Sequence, residues 1–300
     1  MEYKKGTNSR LILILAVILA VASAAITSWT LRANASTAQP TAGSDLETIL
    51  KRGTIRCGYV SNPPSCIIDP NTKKVSGIVA DAIEATAKAA GLRIEWTEEV
   101  GFGSMIEGLR ANRYDIVPCA IWPTAARARE ADFSKALFFS GVSAYVRPND
   151  PRFTHKDYPV INSPRVRVAT IDGELAQSIA QTDFPKAQTV GQPQMSELTT
   201  MLLNVKENKA DVAFVESYFA YEFLQKNPGS LKNMVPGQPI RIFPNTIILR
   251  RGQPEFKAFL DAALTEQLNL GSIDRLVSQY EPERGIFYRV NKPYAAESQK

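Results

Sequence analysis

Three short stretches hold charged residues where a ligand could use them. In Ala120-Ile121-Trp122-Pro123-Thr124-Ala125-Ala126-Arg127, Thr124 is placed to cap a helix, which puts Arg127 at the third helical position. A cation in a first helical turn opposes the helix dipole by about 0.3–1 kcal/mol. An anion is therefore expected beside it: either Glu130 or Asp132 of the same segment, or a ligand carboxylate gripped in a bidentate fork. In Phe214-Val215-Glu216-Ser217, Glu216 directly follows strand-like residues. It is either a cap for the next helix or the counter-ion of a ligand cation. In Ile171-Asp172-Gly173-Glu174-Leu175, Gly173 supplies a tight turn and Glu174 starts a helix. An acid there stabilises the helix by itself, and it also faces the same region. Ligands of open α/β sheets bind beyond the carboxyl ends of the strands, where all three stretches fall.

The remaining composition narrows the chemistry. The 300 residues carry 35 Lys and Arg against 30 Asp and Glu, and part of that +5 excess sits in the first 35 residues. The rest has no basic stripe, so nucleic-acid binding has no electrostatic footprint. A single histidine, His155, argues against a His-based triad or a His-rich metal site. No G-x-S-x-G, Walker loop or H-E-x-x-H occurs, and Gly101-Phe102-Gly103 is only a fragment of a glycine-rich motif. Binding is the default, with no metal and no cofactor required.

Strands must alternate with helices to present these residues. The patterning predicts helix at 46–52, strand at 54–60, helix at 79–90, strand at 93–98, helix at 104–111 and strand at 115–121. A helix begins at 124, and a strand follows at 142–147. A second unit repeats this alternation, with strand at 166–171, helix at 174–181, long helix at 195–208, strand at 211–215, helix at 217–225 and strand at 246–250. Helices at 254–269 and 272–280 close the chain, with Pro254 in a first turn and Ser272 as a cap. Two such units argue two α/β lobes with parallel sheets.

Residues 1–35 read as a targeting segment. Lys4, Lys5 and Arg10 precede the apolar run Leu11–Ala22, and Ala22-Ser23-Ala24 and Ala33-Asn34-Ala35 offer cleavage sites. Extended to Trp29, the apolar stretch is also long enough to span a bilayer once, so it is either a cleaved signal peptide or an anchor tethering the chain through residues 11–29. Both place the remainder outside the cytoplasm, after a small polar linker at 36–44. Three cysteines suit an oxidising compartment. Cys66 follows the turn after the first strand and Cys119 lies near the end of its expected neighbour. The two are expected to form a disulfide at the crevice rim, with Cys57 buried and free; three buried thiols are the alternative.

Several runs together carry a family resemblance. Val75-Ser76-Gly77-Ile78-Val79-Ala80-Asp81 resembles a "G-F-x-x-D" opening. Asp115 to Ala120, then Thr124-x-x-Arg127 and Asp132-Phe133-Ser134, resembles a "D-(apolar)-x-x-x-G … T-x-x-R … D-F-S" core. Phe102 with Ser104–Leu109, Val212–Glu222 and Pro254–Gln279 add to it. The pattern is similar to the bacterial extracellular solute-binding proteins, family 3, the receptors of polar amino acid ABC importers. The resemblance implies a type II periplasmic binding protein: two Rossmann-like lobes joined by a two-strand hinge, closing on one ligand. It implies lobe 1 at 45–145 plus 243–285, lobe 2 at 146–242, hinge stretches Ala144–Pro148 and Arg241–Thr246, and a tail at 286–300. It puts a carboxylate-binding arginine on Arg127, ligand contacts on Ala120 and Trp122, a stacking aromatic on Phe102 and an ammonium-binding acid on Glu216. It implies a periplasmic receptor with an ABC permease as partner.

The departures bear on the ligand. Gly173-Glu174-Leu175 stands where relatives often have hydroxyl residues after the glycine, Ser65 replaces an aromatic after Pro-Pro, and Trp122 replaces a threonine. With Glu174 and Glu216 both at the cleft, a zwitterionic or cationic ligand is expected over an acidic one. Two rival readings stay open: a secreted enzyme resembling cyclohexadienyl dehydratase, with Glu174 or Glu216 as general acid, and an anchored sensor module.

Overall fold

A computed structural model describes residues 45–290, apart from 155–156 and 194–195. The targeting segment, the linker, His155 and residues 291–300 lie outside the described residues; the part of the expected tail that is described, 286–290, is not a tail, since Ile286 and Phe287 are buried in a core and Phe287–Arg289 is a strand. Among the described residues no helix is long and apolar enough to cross a membrane.

The strands are β1 Thr54–Tyr59, β2 Ile67–Ile68, β3 Val75–Ser76, β4 Arg93–Glu99, β5 Ile116–Ile121, β6 Ala131–Phe133, β7 Phe138–Val146, β8 Arg167–Ile171, β9 Gln188–Gln192, β10 Val212–Glu216, β11 Lys232–Asn233, β12 Arg241–Arg250 and β13 Phe287–Arg289. The main sheet runs β4-β1-β5-β12-β7-β10-β8-β9. β4, β1 and β5 are parallel, as are β10, β8 and β9. The long strands β7 and β12 lie between the two sets and run antiparallel to their neighbours. β5 reads Ile-Val-Pro-Cys-Ala-Ile and is buried at every position, the unbroken apolar run that a strand covered on both faces requires.

Two main cores flank the middle strands. One gathers Ile49, Ile83, Ile116, Phe138, Leu260 and Val277 under the helices Ile78–Ala89, Pro254–Asn269 and Ser272–Tyr280. The other gathers Val142, Val168, Ile179, Leu202, Phe214 and Phe223 under Leu175–Asp183, Thr199–Lys206 and Ser217–Lys226. These are the cores of two lobes. β7 leaves the first at Phe138 and enters the second at Val142; β12 pairs with β7 over Arg241–Asn245 and with β5 from Thr246 to Leu249. The first crossing therefore precedes the expected stretch at Ala144–Pro148, because Ala144, Tyr145 and Val146 already pack inside lobe 2. β13 adds a further strand, pairing Phe287, Tyr288 and Arg289 with Ser140, Phe139 and Phe138 of that crossing.

Each lobe pins one central strand at its amino end. Asp115, just before β5, pairs with Arg52 and Arg56 and accepts from the Arg56 amide at 2.8 Å. Asp211, just before β10, accepts from Arg147, Arg152 and Arg167 at 2.7, 2.8 and 3.0 Å. Arg127 follows the carboxyl end of the first of these strands and Glu216 ends the second, while Glu174 follows β8.

Several expectations are corrected. The strands expected at 142–147 and 246–250 run over Phe138–Val146 and Arg241–Arg250, and both lie antiparallel to their neighbours where parallel sheets are expected. Among the described residues, the helix expected over 195–208 is formed at Thr199–Lys206. The disulfide expected between Cys66 and Cys119 is not formed: Cys57, Cys66 and Cys119 are all free and fully buried. Cys66 and Cys119 do meet thiol to thiol, but among Met105, Tyr114 and Ile248 in a small core rather than at a rim. Burial pushes the Cys119 thiol well above its ordinary value, and the adjacent Cys66 adds to the effect. The thiolate needed for oxidation is thereby suppressed.

Candidate ligand-binding cleft

The loop after β1 forms one edge of the site, and Gly77 explains its position. Gly77 has φ of 118°, and a Cβ there would lie 2.6 Å from the Pro64 carbonyl oxygen. Only glycine lets the loop settle so closely, and the Ile78 and Val79 amides then donate to the Pro64 and Ser65 carbonyls at 3.0 Å each. The Asn62 side-chain amide reaches the Cys119 carbonyl at 2.9 Å, tying the loop to β5.

β5 delivers the next group. Ala120 has φ of 58°, a left-handed conformation that costs a residue with a Cβ roughly 1–2 kcal/mol. Strain of this kind gathers at functional sites. The chain then turns through Trp122 and Pro123 to Thr124, whose hydroxyl accepts from the Arg127 amide at 3.2 Å and starts the single turn Ala125–Ala128. The Arg127 guanidinium donates to the Trp122 carbonyl at 3.0 Å. Among the described residues no carboxylate pairs with it. Glu130 pairs with Arg110 at 3.1 Å, and Asp132 accepts from the Gly252 amide, so neither serves as its anion. Burial pulls the guanidinium down from its ordinary value, while Glu174 across the cleft works in the opposite direction. Arg127 is thus a half-buried cation without an ion-pair partner.

The other wall comes from lobe 2. Glu216 ends β10 immediately before the helix Ser217–Lys226, and makes no capping hydrogen bond to it. Burial pushes its carboxyl up to about 7, and a hydrogen bond from Ser140 only partly offsets this. Glu174 precedes the helix Leu175–Asp183, also without a capping hydrogen bond, and is exposed.

A polar chain links the walls. The Trp122 indole donates to Asn245 at 2.9 Å, Asn245 donates to Ser140 at 2.8 Å, and Ser140 bonds Glu216. Trp122 also stacks on Phe243 at 4.5 Å with planes 11° apart. Asn245 and Phe243 lie on one crossing strand and Ser140 on the other.

Phe102, Ala120, Trp122, Arg127, Glu174 and Glu216 all line one cavity of about 330 Å³. Ser196, Leu198, Phe219 and Asn245 line it too, although none of them stands out in the sequence. Phe219 merges there into a helical stripe. Asn245 offers one signal, a lone amide beside the apolar run that follows it.

The state of Glu216 has a measurable consequence. In the unfolded chain its carboxyl ionises near 4.5, and in the fold near 7. Its contribution to stability is complete below 4.5 and is lost as pH rises through 7, where the fold must hold the charge. Ligand-free Glu216→Gln is expected to gain melting temperature relative to the parent across this window, by at least roughly 4 °C at about pH 8. A parent-minus-variant difference that stays constant from about pH 4 to about pH 8 would contradict the assignment.

The family model of the bacterial extracellular solute-binding proteins, family 3, matches residues 55–283. The chain belongs to this family. It is 26% identical over 156 residues to a probable histidine-binding protein of Campylobacter jejuni, a match covering 52% of this chain and 57% of that protein. It is 20% identical over 208 residues to the arginine-binding extracellular protein ArtP of Bacillus subtilis, covering 69% of this chain and 78% of ArtP. The fold also matches the crystal structure of the ancestral amino acid-binding protein AncCDT-1, a precursor of cyclohexadienyl dehydratase. That match has a TM-score of 0.60 at 23% identity and covers 79% of this chain and 99% of the other.

Proposed function

We propose that this chain is an exported receptor that captures a zwitterionic or cationic amino-acid-like ligand between its lobes and delivers it to an ABC importer. One observation carries the reading: the cleft opposes Arg127 on one wall to the Glu216 carboxyl on the other, and among the described residues neither has an ion-pair partner. Both charges are useful only to a molecule with a carboxylate at one end and an ammonium at the other. Arg127 grips the carboxylate, Glu216 takes the ammonium, Glu174 adds negative potential, and Phe102, Trp122 and Phe219 cover the ligand's apolar faces. Lobe closure bends the crossing strands near Phe139–Gly141 and Arg241–Asn245. The relatives named above are binding proteins, and the proposal follows them rather than the dehydratase or the sensor.

The cavity of about 330 Å³ lies in the range of small-molecule sites. The experiment is a thermal-shift series with each amino acid, its decarboxylated amine and its deaminated acid. A true ligand at about a hundred times its dissociation constant adds roughly 2.7 kcal/mol of stability. Only the intact amino acid should do so; an equal shift with the amine or the acid alone would reject the two-ended site.

A further inference from the structure

A smaller cavity, of about 70 Å³, adjoins the cleft, and Trp122, Glu174, Leu198 and Glu216 line both. Those four residues therefore stand at its mouth. Beyond them its walls are Val142, Leu175, Ala176, Met201, Phe214 and Val215, which are all apolar. All but Leu175 are buried and belong to the packed core of lobe 2. They come from β7, β10 and the helices Leu175–Asp183 and Thr199–Lys206, so the pocket is held from several sides. A lone water needs only about 10–15 Å³, but it also needs two to four polar partners. These wall side chains supply none. Water at the inner end, away from Trp122 and the two carboxylates, is poorly bonded, and an apolar group displaces it with a gain in affinity. A cationic group driven to the same depth would lose its hydration with carboxylates only behind it, at the mouth.

We propose that this pocket selects the ligand's side chain: an amino acid held by its charged ends at Arg127 and Glu216 inserts a compact, branched aliphatic group past Trp122 into lobe 2. The inference rests on the zwitterion reading above and narrows it. It sets this site apart from receptors of long cationic side chains, because the inner walls of the cavity are too apolar for a guanidinium.

Each buried methylene contributes roughly fourfold in affinity. Leucine is therefore expected to bind the full chain roughly fiftyfold more tightly than alanine, and more tightly than arginine. Calorimetry with alanine, leucine and arginine on the parent, Arg127→Ala and Ala176→Leu decides the matter. Ala176→Leu fills the pocket and should lower the leucine-to-alanine affinity ratio at least roughly tenfold. If Ala176→Leu does not fold, Met201→Ala enlarges the pocket instead and should move the preference from leucine toward phenylalanine. Amino acids that bind through Arg127 with equal affinities for alanine and leucine, or with arginine preferred, overturn the pocket and leave the zwitterion reading standing. Binding indifferent to Arg127→Ala, or no binding of any amino acid, overturns both.

Discussion

Arg127→Ala is expected to weaken amino acid binding by at least about a hundredfold while leaving the fold intact. The guanidinium is half-buried, and among the described residues only the Trp122 carbonyl accepts a hydrogen bond from it. A ligand carboxylate therefore supplies its first full counter-charge. Truncating one partner of a desolvated ion pair costs about 3–5 kcal/mol, which is roughly 10²- to 10⁴-fold in affinity. The fold has little to lose, because Arg127 lies on a single helical turn with no buried residue. The sharper measurement combines the variant with an esterified ligand. Esterification should hurt the parent severely and Arg127→Ala hardly at all, since the contact it removes is already gone. Calorimetry on the four combinations of parent or variant with free or esterified ligand reads this coupling. Additive losses would show that Arg127 does not touch the carboxylate, and the orientation of the ligand would have to be abandoned.

Asp211→Ala should cause the largest loss of stability of any single change considered, and it should do so far from the ligand. The Asp211 side chain is 1% exposed and accepts hydrogen bonds from three arginines and from the Arg167 amide at 2.9 Å. Burial alone would raise its carboxyl, but the bonds from Arg167, Arg152 and Arg147 outweigh that and hold it well below the usual carboxylate range. Removing it leaves Arg167 without its carboxylate, and Arg147 and Arg152 to share Asp150 alone. The arginines are partly solvated, so the cost falls at the lower end for a broken buried pair, about 3 kcal/mol, or roughly 6–12 °C in melting temperature. The sign with pH follows from the depressed value. Asp211 stabilises the fold above its unfolded value of 3.8, and this is lost as pH falls through its folded value. The parent's advantage over Asp211→Asn should accordingly shrink below about pH 4. A variant that melts within about 2 °C of the parent at neutral pH would show that the cluster is ornamental.

The carboxyl ends of β5, β8 and β10 can be located from the sequence because strand and helix periods change there abruptly. Arg127 and Glu216 stand out since each is a charge at such a boundary. The bounds of the helices Pro254–Asn269 and Ser272–Tyr280 are legible because the signals are local, a proline in one first turn among them; the cap of the second is Gly271 in a left-handed conformation, not Ser272 as expected. What escapes depends on distant partners. β9, Gln-Thr-Val-Gly-Gln, has almost no apolar pattern and is a strand only because β8 offers it a ladder. Asn245 becomes a site residue through an indole 123 positions earlier in the chain. The cysteines mislead because the sequence reveals neighbouring strands but not depth. Adjacency brings Cys66 and Cys119 together, but inside a packed core and not at the rim.

The threading of the chain through its two lobes also orders the folding of the molecule. The lobe 2 core is drawn from one continuous stretch, Val142 to Val235, whereas the lobe 1 core combines residues near Ile49 with residues as late as Phe287. Contacts distant in sequence form slowly, since the loop they close must be ordered first. The middle of the chain can thus collapse as a unit while the first strands wait for β12 and β13. A cleft whose walls come from Arg127, Glu216 and Asn245 is then among the last features to be assembled. Its appearance marks the whole chain, rather than either half, as native.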